Sequence, residues 1–363
     1  MGAQELLRYM VEVGASDLHL RAGAPPFVRV DGQLAPSPFS LLTPPETEAL
    51  ATEILPLRKA TEFADTHEAD AGFSVPGVGR FRINVFRQRG EVSLAIRRVR
   101  ADIPAFDELR LPPVVRSLAD APRGLVLVTG PAGTGKTTTI AAMIGHINST
   151  RRAHIVTVED PIEVVHADQL SIIDQREIGV DTLSFEAALR HVIRQDPDVI
   201  FIGEIRDGET AEAAISAAET GHLVISTLHT IDATETINRM LDLLPASAQR
   251  QARFSLAASL RGTLSQRLVP RADGRGRVPA VEVLLNTGRV YDRIIDPAAT
   301  YSISEVLAEG EFYGMQTFDQ ALVKLVAEGL VTEENARAAA SNPHDFSLAM
   351  RGLHLAAGAA QQD

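Results

Sequence analysis

Four short apolar runs, separated by stretches with helical patterning, constrain the fold of this chain more than any other feature. Strands that are apolar along their whole length are buried on both faces, which is typical of parallel sheets covered by helices. The runs are Leu125–Val128, Ile155–Val158, Val199–Ile202 and Leu223–Leu228. After the first run, residues at spacings of three and four predict a helix face formed by Ile140, Met143, Ile144 and Ile147. The pattern predicts a mostly parallel α/β sheet.

The segment Gly130–Thr137 follows the first apolar run and matches the pattern G-x-x-x-x-G-K-[ST]. Its glycines let successive backbone N–H groups turn toward phosphate oxygens, and a helix starting near Thr137 adds its positive N-terminal end. Lys136 would place an ammonium group against the β- and γ-phosphates, and the Thr137 hydroxyl could ligate Mg²⁺. An incidental glycine-rich turn is disfavoured, because this arginine-rich chain uses lysine only at positions 59, 136 and 324. The predicted nucleotide-binding residues are Gly130, Pro131, Ala132, Gly133, Thr134, Gly135, Lys136, Thr137 and Thr138.

Acidic residues and histidines flank the later apolar runs. The run at 199–202 leads into Gly203 and Glu204, and downstream of a phosphate-binding loop such a carboxylate is expected to reach Mg²⁺, directly or through water. Without that loop, a strand ending in glutamate would be commonplace. The run at 155–158 leads into the acidic segment Glu159–Glu163, and His222 and His229 flank the last run. An isolated histidine is usually structural, but polar residues at the ends of neighbouring parallel strands more often line a ligand crevice.

Composition restricts the possible functions. A formal charge of −12 disfavours a protein built to bind nucleic acid, although a basic patch could be hidden in an acidic total. The absence of cysteine excludes disulfides, thiol chemistry and cysteine-ligated zinc, and it is compatible with a cytosolic protein. No apolar run reaches the roughly 18–20 residues of a membrane-spanning helix, and the N-terminus lacks a signal-peptide pattern. We therefore expect any membrane association to be peripheral.

Residues 1–100 are predicted to form a small α+β domain. Asp31-Gly32 between apolar segments predicts a hairpin, and Thr43 with Glu46 predicts a helix that starts with a capping box. Strict alternation over Arg80–Val85 predicts a strand with Arg80 and Arg82 on its polar face. Taken alone, this is a half-buried strand whose polar face is solvated.

The rest of the chain divides into three predicted regions. Prolines and the lack of periodicity over 101–123 predict an interdomain linker, which precedes the α/β core at 124–285. Residues 286–363 are predicted to form a helical C-terminal domain, with Thr332 as a helix N-cap and a frayed end at 359–363.

These motifs, in this order, resemble the secretion and pilus ATPase superfamily, which carries a Walker A motif, an Asp box, a Walker B motif ending in Gly-Glu, and a His box. The resemblance is closest to the PilT group of type IV pilus retraction ATPases and extends over nearly the whole chain. It implies a RecA-like P-loop ATPase core with a small N-terminal α+β (PAS-like) domain and a helical C-terminal domain. The matching segments are Ala15–Leu20, Arg29–Gly32, Gly79–Asn84, Glu159–Glu163 (the Asp box), Asp174–Glu177, Arg194–Asp198, Gly203–Asp207 and Gly314–Asp319.

The resemblance also implies roles for individual residues. Glu163 would be the general base for the attacking water and Glu204 would act at Mg²⁺, although these two roles could be exchanged. His229 would sense the γ-phosphate, and His222 would support the same strand. Arg80 and Arg82 could bring guanidinium groups to the nucleotide, with Arg97 and Arg98 as alternatives.

The resemblance implies an ATP-hydrolysing, Mg²⁺-dependent homohexamer at the cytoplasmic face of the bacterial inner membrane, where it would act on a pilus platform protein. Extension and type II secretion ATPases usually carry a four-cysteine zinc element and a longer N-terminal region. Neither is present here, which favours retraction. One departure argues against it: retraction ATPases typically carry Ala-Ile-Arg-Asn-Leu-Ile-Arg-Glu, whereas the corresponding segment here is Arg289–Asp296, with Tyr291 and Ile295 at the arginine positions.

The alternatives are therefore an extension, secretion or DNA-uptake ATPase, an accessory retraction paralogue, or a slow nucleotide-binding regulatory subunit of such a motor. A nucleic-acid translocase is disfavoured by the acidic charge.

Overall fold

A computed structural model describes residues 2–30, 32–99 and 104–359 of the 363-residue chain. The chain forms two compact units. The first unit contains Met1–Asp102, Val158–Ala167 and Gln175–Phe185, and the second contains Ile103–Thr157, Asp168–Asp174 and Glu186–Asp363.

The N-terminal segment of the first unit is an α+β structure around an antiparallel sheet with the strand order β3-β2-β1-β6-β5-β4. Its apolar core includes Leu6, Leu18, Phe81 and Ile83. Its elements are α1 (Ala3–Glu12), β1 (Asp17–Arg21), β2 (Phe27–Val30), β3 (Gln33–Pro36), α2 (Pro44–Ile54), α3 (Leu57–Thr66), β4 (Glu68–Val75), β5 (Gly79–Gln88) and β6 (Glu91–Arg98).

Local sequence signals set several boundaries in this segment. The predicted hairpin is confirmed, because Val30 pairs with Gln33 across a two-residue turn in which Gly32 has φ +81°, while Asp31 lies outside the described residues. The predicted capping box of α2 is also present, with the Thr43 backbone N–H donating to Glu46 at 2.8 Å. Strand β5 buries Phe81 and turns Arg82 outward, as the alternation predicts.

The second unit contains most of a sheet with the order β13-β12-β7-β11-β10-β8-β9. Pairs β7/β11, β10/β11 and β12/β7 are parallel, which confirms the predicted mostly parallel sheet, and β12/β13 is antiparallel. The last residues of β8 and β9 belong to the first unit. The elements are α4 (Phe106–Leu109), α5 (Val114–Ala119), β7 (Gly124–Thr129), α6 (Lys136–Thr150), β8 (His154–Glu159), β9 (Ile172–Glu177), α7 (Phe185–Val192), β10 (Val199–Ile202), α8 (Gly208–Glu219), β11 (Leu223–Leu228), α9 (Ala233–Asp242), α10 (Gln249–Ser259), β12 (Leu260–Pro270) and β13 (Arg277–Leu285).

All four apolar runs predicted to be strands form strands, and their apolar side chains are buried. The predicted apolar face of α6 also faces the core, because Ile140, Met143, Ile144 and Ile147 are all buried there. Residues 104–123, predicted to be part of a linker, instead contain α4 and α5, and Phe106, Val115 and Leu118 join the same core. This stretch packs as part of the second unit because the two short helices turn these apolar side chains into its core.

The region after 286 is helical, as predicted. Thr332 caps α14, accepting from the Asn335 N–H at 3.2 Å, also as predicted. Of the end predicted to fray, residues 360–363 lie outside the described part. No helix within residues 2–30, 32–99 and 104–359 is long and apolar enough to cross a membrane. The helices are α11 (Gly288–Ile295), α12 (Ile303–Ala308), α13 (Phe318–Ala327), α14 (Glu333–Ala339) and α15 (Pro343–Ala359), with 3₁₀ turns at Thr300–Ser302 and Glu311–Tyr313.

A buried carboxyl group in β13 connects the sheet to α9. Glu282 is 8% exposed and accepts a hydrogen bond from the Ala233 N–H, the first residue of α9, at 2.9 Å. Burial raises the pKa of Glu282 from an ordinary value of 4.5 to about 7, although the Ala233 hydrogen bond and nearby Arg267 act in the opposite direction.

This pKa predicts a pH dependence of stability. Between about pH 4.5 and pH 7 the folded chain holds a proton on Glu282 that the unfolded chain releases, so the stabilising contribution of protonated Glu282 is lost as pH rises through that window. A shift of this size corresponds to about 3 kcal/mol. Glu282→Gln cannot ionise and can still accept from Ala233. We therefore expect the free energy of unfolding of the variant, relative to that of wild type, to increase when the pH is raised from 5 to 8, as measured by denaturant unfolding. A difference in unfolding free energy between variant and wild type that is the same at pH 5 and pH 8 would contradict the prediction.

Candidate functional site

The parallel register of β7, β11 and β10 brings three polar segments to one edge of the sheet. Thr129 at the end of β7 lies opposite Leu228 of β11, and Ile202 at the end of β10 lies opposite Ser226. The glycine-rich loop, Gly203-Glu204 and His229 therefore all begin where a parallel strand ends. Crevices at the carboxyl ends of such strands are where α/β sheets bind ligands.

The loop that follows β7 has the backbone shape of a phosphate cradle. Gly133 and Gly135 have φ of +78° and +92°, and α6 begins directly afterwards at Lys136. The Lys136 Nζ donates to the carbonyl oxygens of Gly130 at 2.6 Å and Pro131 at 3.1 Å. The ammonium group therefore lies against the loop, beside the positive N-terminal end of the helix, where an anion is favoured.

Glu204 is the carboxylate of this edge, and its side chain is 15% exposed. It forms an ion pair with Arg206, and its Oε2 lies 3.5 Å from the Nε2 of His229. Strand β11 fixes the backbone around it, because the Ile205 N–H donates to the Thr227 carbonyl at 3.0 Å and the Thr227 hydroxyl donates to the Gly203 carbonyl at 2.7 Å. These contacts position the carboxylate from both sides.

A chain of buried hydroxyl groups lies behind the loop and the His229 segment. Thr129, the residue before the loop, donates to Ser265 at 3.1 Å, and its hydroxyl oxygen lies 3.5 Å from that of Thr236, which donates to the Asp232 carbonyl oxygen at 2.6 Å. The Thr236 hydroxyl also lies 2.7 Å from that of Thr230, the residue after His229. All four of these side chains are at most 4% exposed. Because buried hydroxyls need partners, this chain fixes the loop and the His229 segment relative to each other.

The structure does not bring His222 to this edge. It precedes β11, and its Nδ1 lies 2.9 Å from the Ala217 carbonyl oxygen at the end of α8. The six residues of β11 separate it from His229, a distance of about 20 Å at ordinary strand rise. His222 therefore lies where the parallel strands begin, and His229 lies where they end.

Glu163, Arg80 and Arg82 belong to the first unit, where Arg82 pairs with Glu163. The Arg82 guanidinium lies 4.0 Å from the Glu163 carboxylate, and both side chains are about half exposed. Arg80 instead pairs with Glu177, and Arg97 pairs with Asp17 at 2.8 Å. Arg98 is exposed at the end of β6.

The donor atoms of the site in the second unit fit a phosphate chain and one Mg²⁺. Backbone amides, a lysine ammonium and a helix N-terminus suit phosphate oxygens, and the Thr137 hydroxyl and Glu204 carboxylate are the hard oxygen ligands that Mg²⁺ prefers. The loop also leaves no room for bulk at its first position. A Cβ on Gly130 would lie 2.6 Å from the Gln266 carbonyl oxygen and 2.7 Å from the Thr134 hydroxyl.

Three polar residues of these segments had no predicted role in the sequence analysis. Arg206 pairs with Glu204, and Gln175 and Glu177 of β9 contact the Asp box. The signal for Arg206 was its position two residues beyond a predicted catalytic carboxylate. The signal for Gln175 and Glu177 was their place in Asp174–Glu177, one of the segments that match the ATPase superfamily.

The segment that departs from the retraction-ATPase pattern is still a helix. Thr287 caps α11, and the helix buries Val290 and Ile294. Arg289 pairs with Glu309 at 2.9 Å. The helix is therefore present despite the changed sequence, while the arginine pattern is not.

Comparisons with known proteins identify the relatives of this chain. A family model described as Type II/IV secretion system protein matches residues 95–345. The type IV pilus retractation ATPase PilT of Pseudomonas aeruginosa is 43% identical over 346 residues, which cover 95% of this chain and 100% of that protein. The type IV pilus ATPase PilU of the same organism is 41% identical over 351 residues, covering 97% of this chain and 92% of PilU.

A solved structure has the same fold. The crystal structure of the pilus retraction motor PilT with bound ADP superimposes with a TM-score of 0.87 and 45% sequence identity. The match covers 95% of this chain and 98% of that one. The fold is thus the α/β ATPase fold with a helical C-terminal region that the resemblance implied.

The contacts of the loop predict different tolerance at two of its glycines. Gly130→Ala would push a Cβ into the Gln266 carbonyl oxygen, whereas a Cβ on Gly133 would meet open space and strain only a left-handed φ. A residue forced into that region costs roughly 1–2 kcal/mol. We expect Gly130→Ala to lower the melting temperature more than its matched control Gly133→Ala. Equal melting temperatures for the two variants would show that the loop accommodates both side chains.

Proposed function

This chain belongs to the Type II/IV secretion system protein family, and from that premise we propose that it is an ATP-hydrolysing motor that drives retraction of type IV pili. The observation that carries the proposal is the convergence of the Lys136 loop, Glu204 and His229 at the carboxyl edge of three parallel strands. The similarity to PilT over nearly the full length of both chains supports retraction as the process that the motor serves.

In this proposal the loop binds the nucleotide. Backbone amides of residues 130–135 and the N-terminus of α6 hold the phosphates, with Thr138 in the first turn of that helix. The Lys136 ammonium exchanges its carbonyl partners for β- and γ-phosphate oxygens. Thr137 and Glu204 would hold Mg²⁺, which would neutralise the charge that develops on the phosphates.

The hydrolytic step requires a base and a charge stabiliser. Glu163 takes the proton of the attacking water, and its half-exposed carboxylate leaves room for that water. Arg82 stabilises the negative charge that develops on the γ-phosphoryl group. His229 is coupled to Glu204 and senses the γ-phosphate, and His222 supports the opposite end of β11. Of Arg80 and Arg82 on β5, Arg82 is preferred because Arg80 is paired with Glu177.

The motor is proposed to assemble as a homohexamer at the cytoplasmic face of the inner membrane, peripheral to the bilayer, and to act on a pilus platform protein rather than on nucleic acid. The supporting observations are the resemblance to pilus ATPases and the acidic charge of −12. Within each copy, the proposed domains are 1–100, the core at 124–285 with α4 and α5 packed into it, and a helical domain from 286.

A second candidate is an accessory retraction ATPase that acts beside another motor. The chain is almost as similar to PilU as to PilT, at 41% and 43% identity. The loss of the arginine pattern in α11 supports the same candidate.

The pilus phenotype tests these candidates directly. We expect replacement of the gene by a Lys136→Ala allele to give excess surface pili and loss of twitching motility, because assembly continues while retraction stops. If the chain is an accessory ATPase, motility should fall only partly while a second motor remains. Cells without surface pili would show that the motor drives extension, and they would overturn the retraction assignment.

The role of Arg82 predicts a selective effect on turnover. We expect Arg82→Gln to lower kcat for ATP hydrolysis by about tenfold to a thousandfold with a smaller change in KM, because the charge acts on the transition state. The matched control is Arg87→Gln, which removes an arginine from the same strand, where it pairs with Glu48 at 3.0 Å. Equal kcat values for the two variants would exclude Arg82 from the reaction.

A further inference from the structure

Two side chains of β9 hold the backbone on either side of Glu163. Gln175 and Glu177 alternate along the strand, so they lie on the same face of β9. Glu177 accepts a hydrogen bond from the Ile162 N–H at 3.1 Å, and the Gln175 Nε2 donates to the Val164 carbonyl at 2.8 Å. The residues directly before and after Glu163 are therefore each fixed by a side chain from this strand.

Further contacts make both attachments rigid. The Gln175 amide oxygen accepts from the His166 N–H at 2.8 Å, and its Nε2 also donates to Glu159 at 3.1 Å. Glu177 is only 2% exposed, and besides Ile162 it accepts from the Gly72 N–H at 3.1 Å and from Arg80. Burying a carboxylate is costly without such donors, and these three come from the Asp box, β4 and β5.

The approach of β4 leaves no space for a side chain beside this carboxylate. A Cβ on Gly72 would lie 2.7 Å from Glu177 Oε1 and 2.6 Å from an Arg80 nitrogen. The Glu177 carboxylate thus ties the Asp box to strands β4 and β5. Strand β5 also carries Arg82, whose guanidinium lies 4.0 Å from Glu163.

We propose that Gln175 and Glu177 are positioning residues that hold the Glu163 carboxylate in its reactive geometry. The inference rests on the proposed function, since it assigns a role in the same hydrolysis. Neither residue touches the reacting atoms: each acts through a backbone group adjacent to Glu163. Misplacing a reacting group by about 1 Å can cost a factor of about 100 in rate, so small shifts of this segment should be visible in kcat.

The first test is steady-state ATP hydrolysis by the full-length chain with Mg²⁺. We expect Glu177→Gln and Gln175→Ala each to lower kcat by about 10- to 100-fold while KM changes less than about threefold, because substrate contacts stay intact. The matched control is Glu48→Gln, which removes the pair between Glu48 of α2 and Arg87 of β5 and should leave kcat unchanged. A rise in KM alone, or a kcat equal to that of the control, would overturn the proposal.

A purely structural role is separated from positioning by a double-mutant cycle with Glu163→Gln. If Gln175 and Glu177 act through Glu163, the loss of kcat in each double variant should be much smaller than the product of the two single losses. Once the Glu163 carboxylate has been removed, shifting its position has no further effect on kcat. Losses that multiply would overturn the proposal. Glu177→Gln leaves Arg80 without its buried countercharge, so if this variant does not fold, Gln175→Ala decides the result alone.

The failure of this inference is distinguishable from failure of the proposed function. If the wild-type chain shows no ATP turnover that is lost in Lys136→Ala, the proposed ATPase function itself is refuted. A wild-type chain with such turnover, and Gln175 and Glu177 variants that match the Glu48→Gln control, would refute only the positioning role.

Discussion

The parallel pairing of three fully buried strands, β7, β11 and β10, is the constraint on which the candidate site depends. Every residue of β7, β10 and β11 is buried, and the three strands pair in parallel register, so apolar burial and backbone pairing stabilise the arrangement together. Parallel strands end at the same edge, and the polar residues that follow them are therefore brought together without any contact among themselves being needed. The chemistry of the site is a consequence of this alignment.

Residues behind the edge then refine the arrangement. The hydroxyl chain through Thr129, Thr236 and Thr230 connects the start of the phosphate-binding loop to the segment after His229. Glu282 fixes the beginning of α9 in the same region through the Ala233 N–H. These groups are buried and hydrogen-bonded, so a shift of either segment would leave polar atoms without partners. The two segments are thus expected to move together.

Sequence reasoning predicted those parts of the structure that depend on local signals. The four apolar strands, the loop before α6, the Thr43 capping box and the alternation in β5 each follow from neighbouring residues, and each was confirmed. The partner of Arg80 could not be predicted, because Glu177 is 97 residues away and only the tertiary fold brings the two together. Strand β9 was missed for a related reason: its sequence Ile-Ile-Asp-Gln-Arg-Glu has few apolar residues, and two of its polar side chains, Gln175 and Glu177, contact the distant Asp box.

The central claim is that this edge of the sheet hydrolyses ATP, and phosphate release by the purified full-length chain tests it most directly. The account predicts release from ATP that requires Mg²⁺ and that falls at least about 100-fold in Lys136→Ala, since the ammonium stabilises charge on the transferred phosphoryl group. Release by the wild-type chain no faster than that of Lys136→Ala, in the presence of Mg²⁺ and with nucleotide bound, would contradict the claim. The chain would then be a nucleotide-binding subunit rather than a motor.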